Sequence, residues 1–320
     1  MLITRLRGWE KPGRDITSEG AFFTRRSTMG TAAVVGAVAG FGALGIRPSA
    51  ADDATPPPGI PASAMRFDPG RPLTSANVAE TYNNFYEFST DKDLWRMAQA
   101  FPQRPWSITF DGMVEKPFTI GIDELLKQVE IEERVYRHRC VEAWAMTVPW
   151  SGFPLAKLVA LAKPTSGAKF ITFTSDQNPQ VMPGLGGFLP WPYLEGLTIA
   201  EAKNELAFIA TGLYGKPMPP QNGGPIRLVV PWKYGFKSGK SIVKVSFTDT
   251  QPDTFWAQLS PDEYGFWANV NPAVPHPRWS QAQERLIGTD QVVDTQIYNG
   301  YAQWVSSLYA GMPQTRKLFM

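Results

Sequence analysis

Cys140 is the only cysteine in a chain of 320 residues. It sits in the segment VYRHRCVEAWAM (135–146), directly behind Arg137, His138 and Arg139 and two residues ahead of Glu142. A thiolate is both a nucleophile and a soft-metal ligand, and nearby cations favour it over the thiol. On a strand the side chains alternate, so Arg137 and Arg139 share one face while His138 and Cys140 share the other. The plain alternative is a small buried hydrophobe, the usual fate of a solitary cysteine. An exposed thiolate in an oxidising compartment would be lost to oxidation unless a bond to a soft metal protected it. Zinc fits poorly: one cysteine and two histidines, His138 and His276, are too few for the usual four-ligand structural sites. A metal held here would take most of its ligands from a cofactor.

A second constellation suits such a cofactor. PPQNGGPIRLVVPWKYGFKSGKSIVKV (219–245) carries Asn222-Gly223-Gly224, then Arg227, then Lys237-Ser238-Gly239-Lys240 as a turn into another strand. Small residues expose backbone N–H groups and the basic side chains add charge, a combination that binds a phosphate. It is no P-loop, since the GxxxxGK[ST] spacing is missing. The bland reading is a solvated basic hairpin.

The elements that must position these residues show in the hydrophobic pattern. RPWSITFDGMVEKPFTIG (104–121) alternates and contains Asp111-Gly112, which predicts two strands joined by a turn. IDELLKQV (122–129) and PLAKLVALA (154–162) carry helical stripes. ERVYRHRC reads as a strand leading to Cys140, and further strands are expected at 168–175, 225–232 and 241–248. Tyr301, Trp304, Val305 and Leu308 predict one more helix, and TYNNFYEFST (81–90) a loop wrapped against the body. Short strands with scattered helices and no regular alternation predict a mixed α+β domain.

Composition narrows the function. Hydrophobic residues make up 43% and charged residues 19%, which describes a folded globular chain. The net charge of +2 is unevenly placed: seven bases and three acids fall in residues 1–50, leaving the remainder slightly acidic. A near-neutral body offers no electrostatic footprint for nucleic acid. Arg25-Arg26 precede an uncharged Ala/Gly/Val-rich run, Met29–Ile46, and then the small residues Ser49, Ala50 and Ala51. This is the layout of a secretory signal, and the paired arginines point to the twin-arginine route, with an uncleaved membrane anchor as the alternative. Residues 1–50 are therefore expected to be a twin-arginine signal peptide, 51–65 an exposed Pro/Ala linker, and 66–320 a single catalytic domain in the periplasm.

Cys140 in RHRCVEAW, VPWSGFPL (148–155) and PPQNGGPIRLVVPWKYGFKSGKSI (219–242) together resemble the sulfite-oxidase superfamily of molybdenum enzymes. Within it, the chain is most similar to the catalytic subunits of bacterial periplasmic methionine sulfoxide reductases. YNNFYEF (82–88) and DEYGFWANVNPAVPHPRWSQA (262–282) extend the resemblance over residues 75–312. It implies a sulfite-oxidase-type molybdopterin-binding fold of mixed sheets and short helices. It also implies one molybdenum-molybdopterin per chain, with Cys140 as the protein ligand to the metal. Cofactor contacts would fall on Asn83, Tyr86, Glu87, Ser175, Asn222, Arg227, Ser238, Gly239 and Lys240. Position 175 carries Thr in related proteins, and Ser keeps the hydroxyl.

On this reading the arginines compensate anionic sulfur and phosphate, and the sequence leaves open whether Arg137 or Arg139 faces the cofactor. The implied reaction is oxygen-atom transfer: sulfoxide becomes thioether, and two electrons and two protons carry the oxygen away as water. Glu142 would orient substrate or relay protons, with a salt bridge to Arg137 or Arg139 as the alternative. Tyr86 would donate a hydrogen bond to the reacting oxygen or pack against the cofactor, and Trp144 and Trp150 would line an open site or pack in the core. Expected partners are oxidised periplasmic proteins as substrates, a membrane haem-b subunit as quinone-linked electron donor, and the twin-arginine translocation machinery. A sulfite dehydrogenase on the same scaffold and an exported binding module that has lost the metal are the competing readings.

Overall fold

The computed structural model describes residues 60–67, 69–186 and 189–320. The expected signal segment and most of the expected linker lie outside them. Within them, no helix is long and apolar enough to cross a membrane.

Twelve strands are present among the described residues: β1 (Ser107–Gly112), β2 (Phe118–Gly121), β3 (Glu132–Arg139), β4 (Trp144–Pro154), β5 (Phe170–Ser175), β6 (Leu194–Thr198), β7 (Phe208–Leu213), β8 (Lys216–Pro217), β9 (Arg227–Val229), β10 (Ile242–Thr248), β11 (Gln283–Leu286) and β12 (Val292–Asp294). One sheet runs β2-β1-β10-β5-β6, and the other runs β12-β11-β4-β7-β8 with β3 on β4 and β9 on β7. Helices are short; Leu155–Ala162, at eight residues, is the longest among the described residues. The mixed sheets and short helices agree with the α+β expectation.

Alternation forms β1, where Ile108 and Phe110 turn inward and Thr109 and Asp111 do not. It pairs antiparallel with β2 and parallel with β10. β4 differs: ten consecutive residues, Trp144–Phe153, are buried except Ser151, because other elements cover both its faces. β3 and β4 form an antiparallel hairpin with unbroken register from Glu132↔Gly152 to Arg139↔Ala145. Residues 140–143 close its tip, so the single cysteine opens a hairpin turn.

Two expectations change. The last part of the presumed linker is exposed at Pro61, Ala62 and Ser63, and packing begins inside it, at Ala64. Ala62–Met65 form a 3-10 turn that buries Ala64, and Phe67 anchors the chain against Tyr136. The helix expected over Tyr301–Leu308 is broken into Ala302–Val305 and a 3-10 turn, Ser306–Tyr309, behind left-handed residues Tyr298 and Asn299.

Candidate active site

A cleft enclosing about 990 Å³ of space continuous with solvent has Cys140 in its wall. Four chain segments build it. The loop after helix Ala76–Thr81 is pinned by Phe85 and Phe88, whose rings are buried 4.9 Å apart. That anchoring leaves Asn83, Asn84, Tyr86 and Glu87 on the cleft wall. The β3–β4 hairpin contributes His138, Cys140 and Glu142, β5 ends in Ser175, and the 222–240 segment brings Asn222, Arg227, Ser238 and Lys240. Of the cofactor contacts that the resemblance implied, Gly239 alone does not line it. Extended backbone alternates, so Ser238 and Lys240 face the cleft while the Gly239 carbonyl pairs with the Leu228 N–H at 2.9 Å.

The face assignment on β3 holds, with a different consequence. His138 and Cys140 face the cleft, and neither arginine does. Arg137 donates to Pro69 O and Gln296 Oε1. Arg139 is fully buried and pairs with Glu284 at 2.5 Å. Positive charge reaches the cleft from Arg227 and Lys240 instead. Arg227 donates only to backbone carbonyls, those of Asn222, Ser238 and Leu228, and its guanidinium lies 4.9 Å from the Trp150 ring centroid. Lys240 donates to Asn84 O at 2.6 Å. Neither makes an ion pair with a carboxylate among the described residues.

A buried cation without a carboxylate is costly. Burial pulls the Arg227 side chain down to about 10, and burial with the nearby Arg227 charge also lowers Lys240. Three amide oxygens in the same wall, Asn83 Oδ1, Asn84 Oδ1 and Asn222 Oδ1, are buried without hydrogen-bond partners among the described residues. Two glycines permit the approach. A Cβ on Gly223, at φ +98°, would sit 2.6 Å from Lys240 Cγ, and one on Gly235 would sit 2.7 Å from His138 Nε2. His138 is held neutral, pulled down to about 3 by its enclosure and by Arg227 and Lys240.

Around the sulfur, Asn84 Nδ2 lies 3.5 Å and the Glu142 N–H 3.4 Å from Sγ. Its protein neighbours do not favour the thiolate as the sequence suggested. Burial and then the Glu142 carboxylate push the Cys140 thiol up to about 12, which outweighs Lys92 and Arg139. Glu142 is the opposite case. Burial works against its charge, yet Lys92, Trp144 and Asn84 hold it below the usual carboxylate range. Its ion pair is with Lys92 at 2.8 Å, not with either arginine. Trp144 Nε1 donates to it at 3.0 Å and Asn84 Nδ2 at 3.2 Å.

Tyr86 packs edge-on to Trp256 at 5.1 Å, and burial followed by the Glu142 charge raises its hydroxyl well above the ordinary phenol value. Trp144 and Trp150 both line the cleft. So do Tyr193, Phe236, Trp256 and Tyr264, which sequence reasoning did not select. They come from short turns and the five-residue helix Phe255–Leu259, and the aromatic density of 255–267 hinted only at Trp256 and Tyr264.

The donor set suits an anionic, ring-bearing cofactor with a soft metal. Unneutralised cations match a phosphate, amide oxygens lacking donors match ring N–H groups, and a sulfur in the wall matches the metal.

A model of the oxidoreductase molybdopterin-binding domain matches residues 97–256. The protein-methionine-sulfoxide reductase catalytic subunit MsrP of Burkholderia mallei is 46% identical over 319 residues, 97% of this chain and 96% of that protein. The subunit of the same name from Xanthomonas axonopodis pv. citri is 48% identical over 313 residues, 94% of this chain and 95% of that protein. The crystal structure of the sulfane dehydrogenase SoxCD from Paracoccus pantotrophus overlaps at TM-score 0.42 and 15% identity, covering 56% of this chain and 46% of that one.

Proposed function

The chain belongs to the MsrP family of protein-methionine-sulfoxide reductase catalytic subunits, and from that membership we propose that it reduces methionine sulfoxide residues of exported proteins at a molybdenum-molybdopterin held in the Cys140 cleft. One observation carries the assignment of the site: the wall that presents Cys140 Sγ also presents the buried Arg227 and the half-buried Lys240, neither in an ion pair among the described residues, and three amide oxygens without donors.

Arg227 and Lys240, with the Ser238 hydroxyl, would hold the phosphate. Asn83 and Asn222 would receive ring N–H groups, Ser175 would contribute its hydroxyl, and Cys140 Sγ would be the single protein ligand to the metal. Bound there, the cofactor supplies two-electron oxygen-atom exchange with a sulfoxide sulfur.

The chain's own groups do the rest. Tyr86 keeps its phenolic proton at neutral pH and offers an O–H donor in the cleft wall. Glu142 stays ionised, and by accepting from Lys92 Nζ and Asn84 Nδ2 it aligns two donors beside Sγ. The Asn84 amide, 3.5 Å from Sγ, is suited to orient a sulfoxide, and Lys92, behind Glu142, to resupply protons. Aromatic rings from Trp256 and Tyr264 suit the thioether and methyl of a methionine side chain. A cleft continuous with solvent lets a residue on a protein substrate enter.

The chain shows no haem-attachment, flavin or nicotinamide motif, so electrons come from outside, from a membrane haem-b partner fed by quinone. The Arg25-Arg26 pair ahead of an uncharged Ala/Gly/Val-rich run supports a periplasmic location reached by twin-arginine export.

The decisive experiment is metal analysis with a dye-linked assay on an oxidised protein. About one molybdenum per chain is expected from the single soft ligand, and Cys140→Ser is expected to lose both metal and activity. Full sulfoxide reduction by Cys140→Ser would refute the ligand assignment. Oxidation of sulfite in place of sulfoxide reduction would overturn the substrate.

A further inference from the structure

The turn that carries Cys140 is gripped by its carbonyls from the side away from the cleft. The Trp279 indole N–H donates to Val141 O at 2.7 Å, and Gln281 Nε2 donates to the same oxygen at 2.7 Å. Arg139 Nη1 donates to Cys140 O. Arg139 Nη2 donates to Gln281 Oε1 at 2.8 Å, which leaves the Gln281 NH2 group to face Val141. Arg139 is itself fixed by Glu284, which also takes Arg71 and the Thr295 hydroxyl at 3.2 Å. Trp279 is held flat against His276, ring centroids 3.8 Å apart. Arg139, Gln281 and Glu284 are buried, which shields the Arg139 bonds from water, and the two bonds to Val141 O are partly buried.

Such a grip has a reason in the backbone. Ala143 closes the turn at φ 61°. A residue with a Cβ costs roughly 1–2 kcal/mol in that region, and it stays there only where its surroundings over-determine it. Arg139 and Trp279 do not line the cleft, and neither does Gln281. Whatever they do for the chemistry they do through the turn. Groups behind a metal ligand fix its orientation and tune the bond.

We infer that Trp279, Gln281 and Arg139 form a positioning clamp that sets the direction of Cys140 Sγ toward the metal, an inference that rests on Cys140 being the molybdenum ligand. The clamp gives the PHPRWSQA segment (275–282) a function, and it gives one of the two arginines flanking His138 a role other than charge compensation. Trp279 and Gln281 converge on one oxygen, and each supplies one of the two side-chain bonds that hold it.

The test uses Trp279→Phe and Gln281→Met, made singly in the full chain so that a folding failure in one leaves the other. The first readout is the sulfur-to-molybdenum charge-transfer band of the oxidised holoenzyme, which reports the angle of the metal–sulfur bond. The second is the rate at which iodoacetamide alkylates Cys140 in full-length protein prepared without cofactor. A shifted band is expected in each variant. Alkylation should be about fivefold faster in each, the equivalent of one lost hydrogen bond of about 1 kcal/mol. Folded variants with the parent's band and the parent's alkylation rate would overturn the clamp. A parent enzyme lacking molybdenum and the band would remove the ligand reading, and the alkylation comparison would still decide whether these residues hold the turn.

Discussion

Lys92 and Glu142 meet at 2.8 Å in an ion pair that neither residue's sequence neighbourhood announces. Lys92 reaches it from the loop that also carries Asn83 and Asn84, and the Asn83 N–H bonded to Lys92 O at 2.9 Å fixes that loop's base. The pair ties the cofactor loop to the hairpin turn of Cys140. It also keeps Glu142 ionised against the pull of burial.

Replacing Lys92 by Met removes the strongest group holding Glu142 below its ordinary range. The acid limb of the kcat/KM profile for sulfoxide reduction should move to higher pH, because Glu142 takes its proton sooner as pH falls. Lys92→Arg should keep the parent profile. An unmoved acid limb in Lys92→Met would show that the ionisation of Glu142 does not govern turnover.

Gly223 makes room for Lys240. At φ +98° it occupies backbone space that side-chain-bearing residues rarely enter, and an added Cβ would overlap Lys240 Cγ and Cβ. Gly223→Ala should cost roughly 1–3 kcal/mol of stability from backbone strain. Displacing Lys240 should also lower the pterin content of the purified protein. Thermal denaturation and pterin fluorescence measure the two effects separately. A fully loaded Gly223→Ala enzyme would mean that Lys240 is not needed to retain the cofactor.

Much of the fold is legible in the chain because one face of each such element is polar. β1, β2, β3, β5 and β10 and the helices Ile122–Lys127 and Leu155–Ala162 all follow from period. β4 does not: buried on both faces, with Pro149 and Gly152 inside it, it has no alternation to read. The arginines next to Cys140 were legible as a shared face, but not which way that face turns. Periodicity fixes relative orientation and tertiary packing fixes the absolute one. For the site, Cys140 and the 222–240 segment stood out by residue type. Tyr193 arrives from the stretch between β5 and β6 and Trp256 and Tyr264 from the one between β10 and β11, and only the folded chain brings them together.

His276 makes stability depend on pH. Its Nδ1 accepts the Arg278 N–H at 3.2 Å, and its Nε2 lies 3.6 Å from Glu263 without a hydrogen bond. Burial lowers its pKa from 6.5 to about 4, with Glu263 opposing and Arg278 and Arg316 assisting. Above pH 6.5 the ring is neutral in both folded and unfolded chains and contributes no slope. As pH falls from 6.5 to about 4 the unfolded chain takes up the proton and the folded one does not, so stability declines across that window. Denaturant midpoints measured through this range should fall less steeply for His276→Gln than for the parent. Equal slopes would remove His276 as the source.

Lys237 begins the KSGK turn, where a charged side chain ordinarily points to water. Here it is fully buried and sits 2.5 Å from Glu195, which is buried as well. The Glu195 carboxyl is raised by burial, with Lys237 as the largest opposing influence, so the lysine favours the charged form of that group in the interior. Lys237→Met would preserve most of the side-chain volume and leave Glu195 without its counter-charge. Breaking one half of a buried pair costs about 3–5 kcal/mol, and urea denaturation should show a loss of that size. Lys237→Met combined with Glu195→Leu should recover most of it, since replacing both partners with apolar groups avoids the unpaired charge. If the single variant matched the parent, Glu195 would have to be neutral in the folded protein, and the turn before Ser238 and Lys240 would owe its position to packing alone.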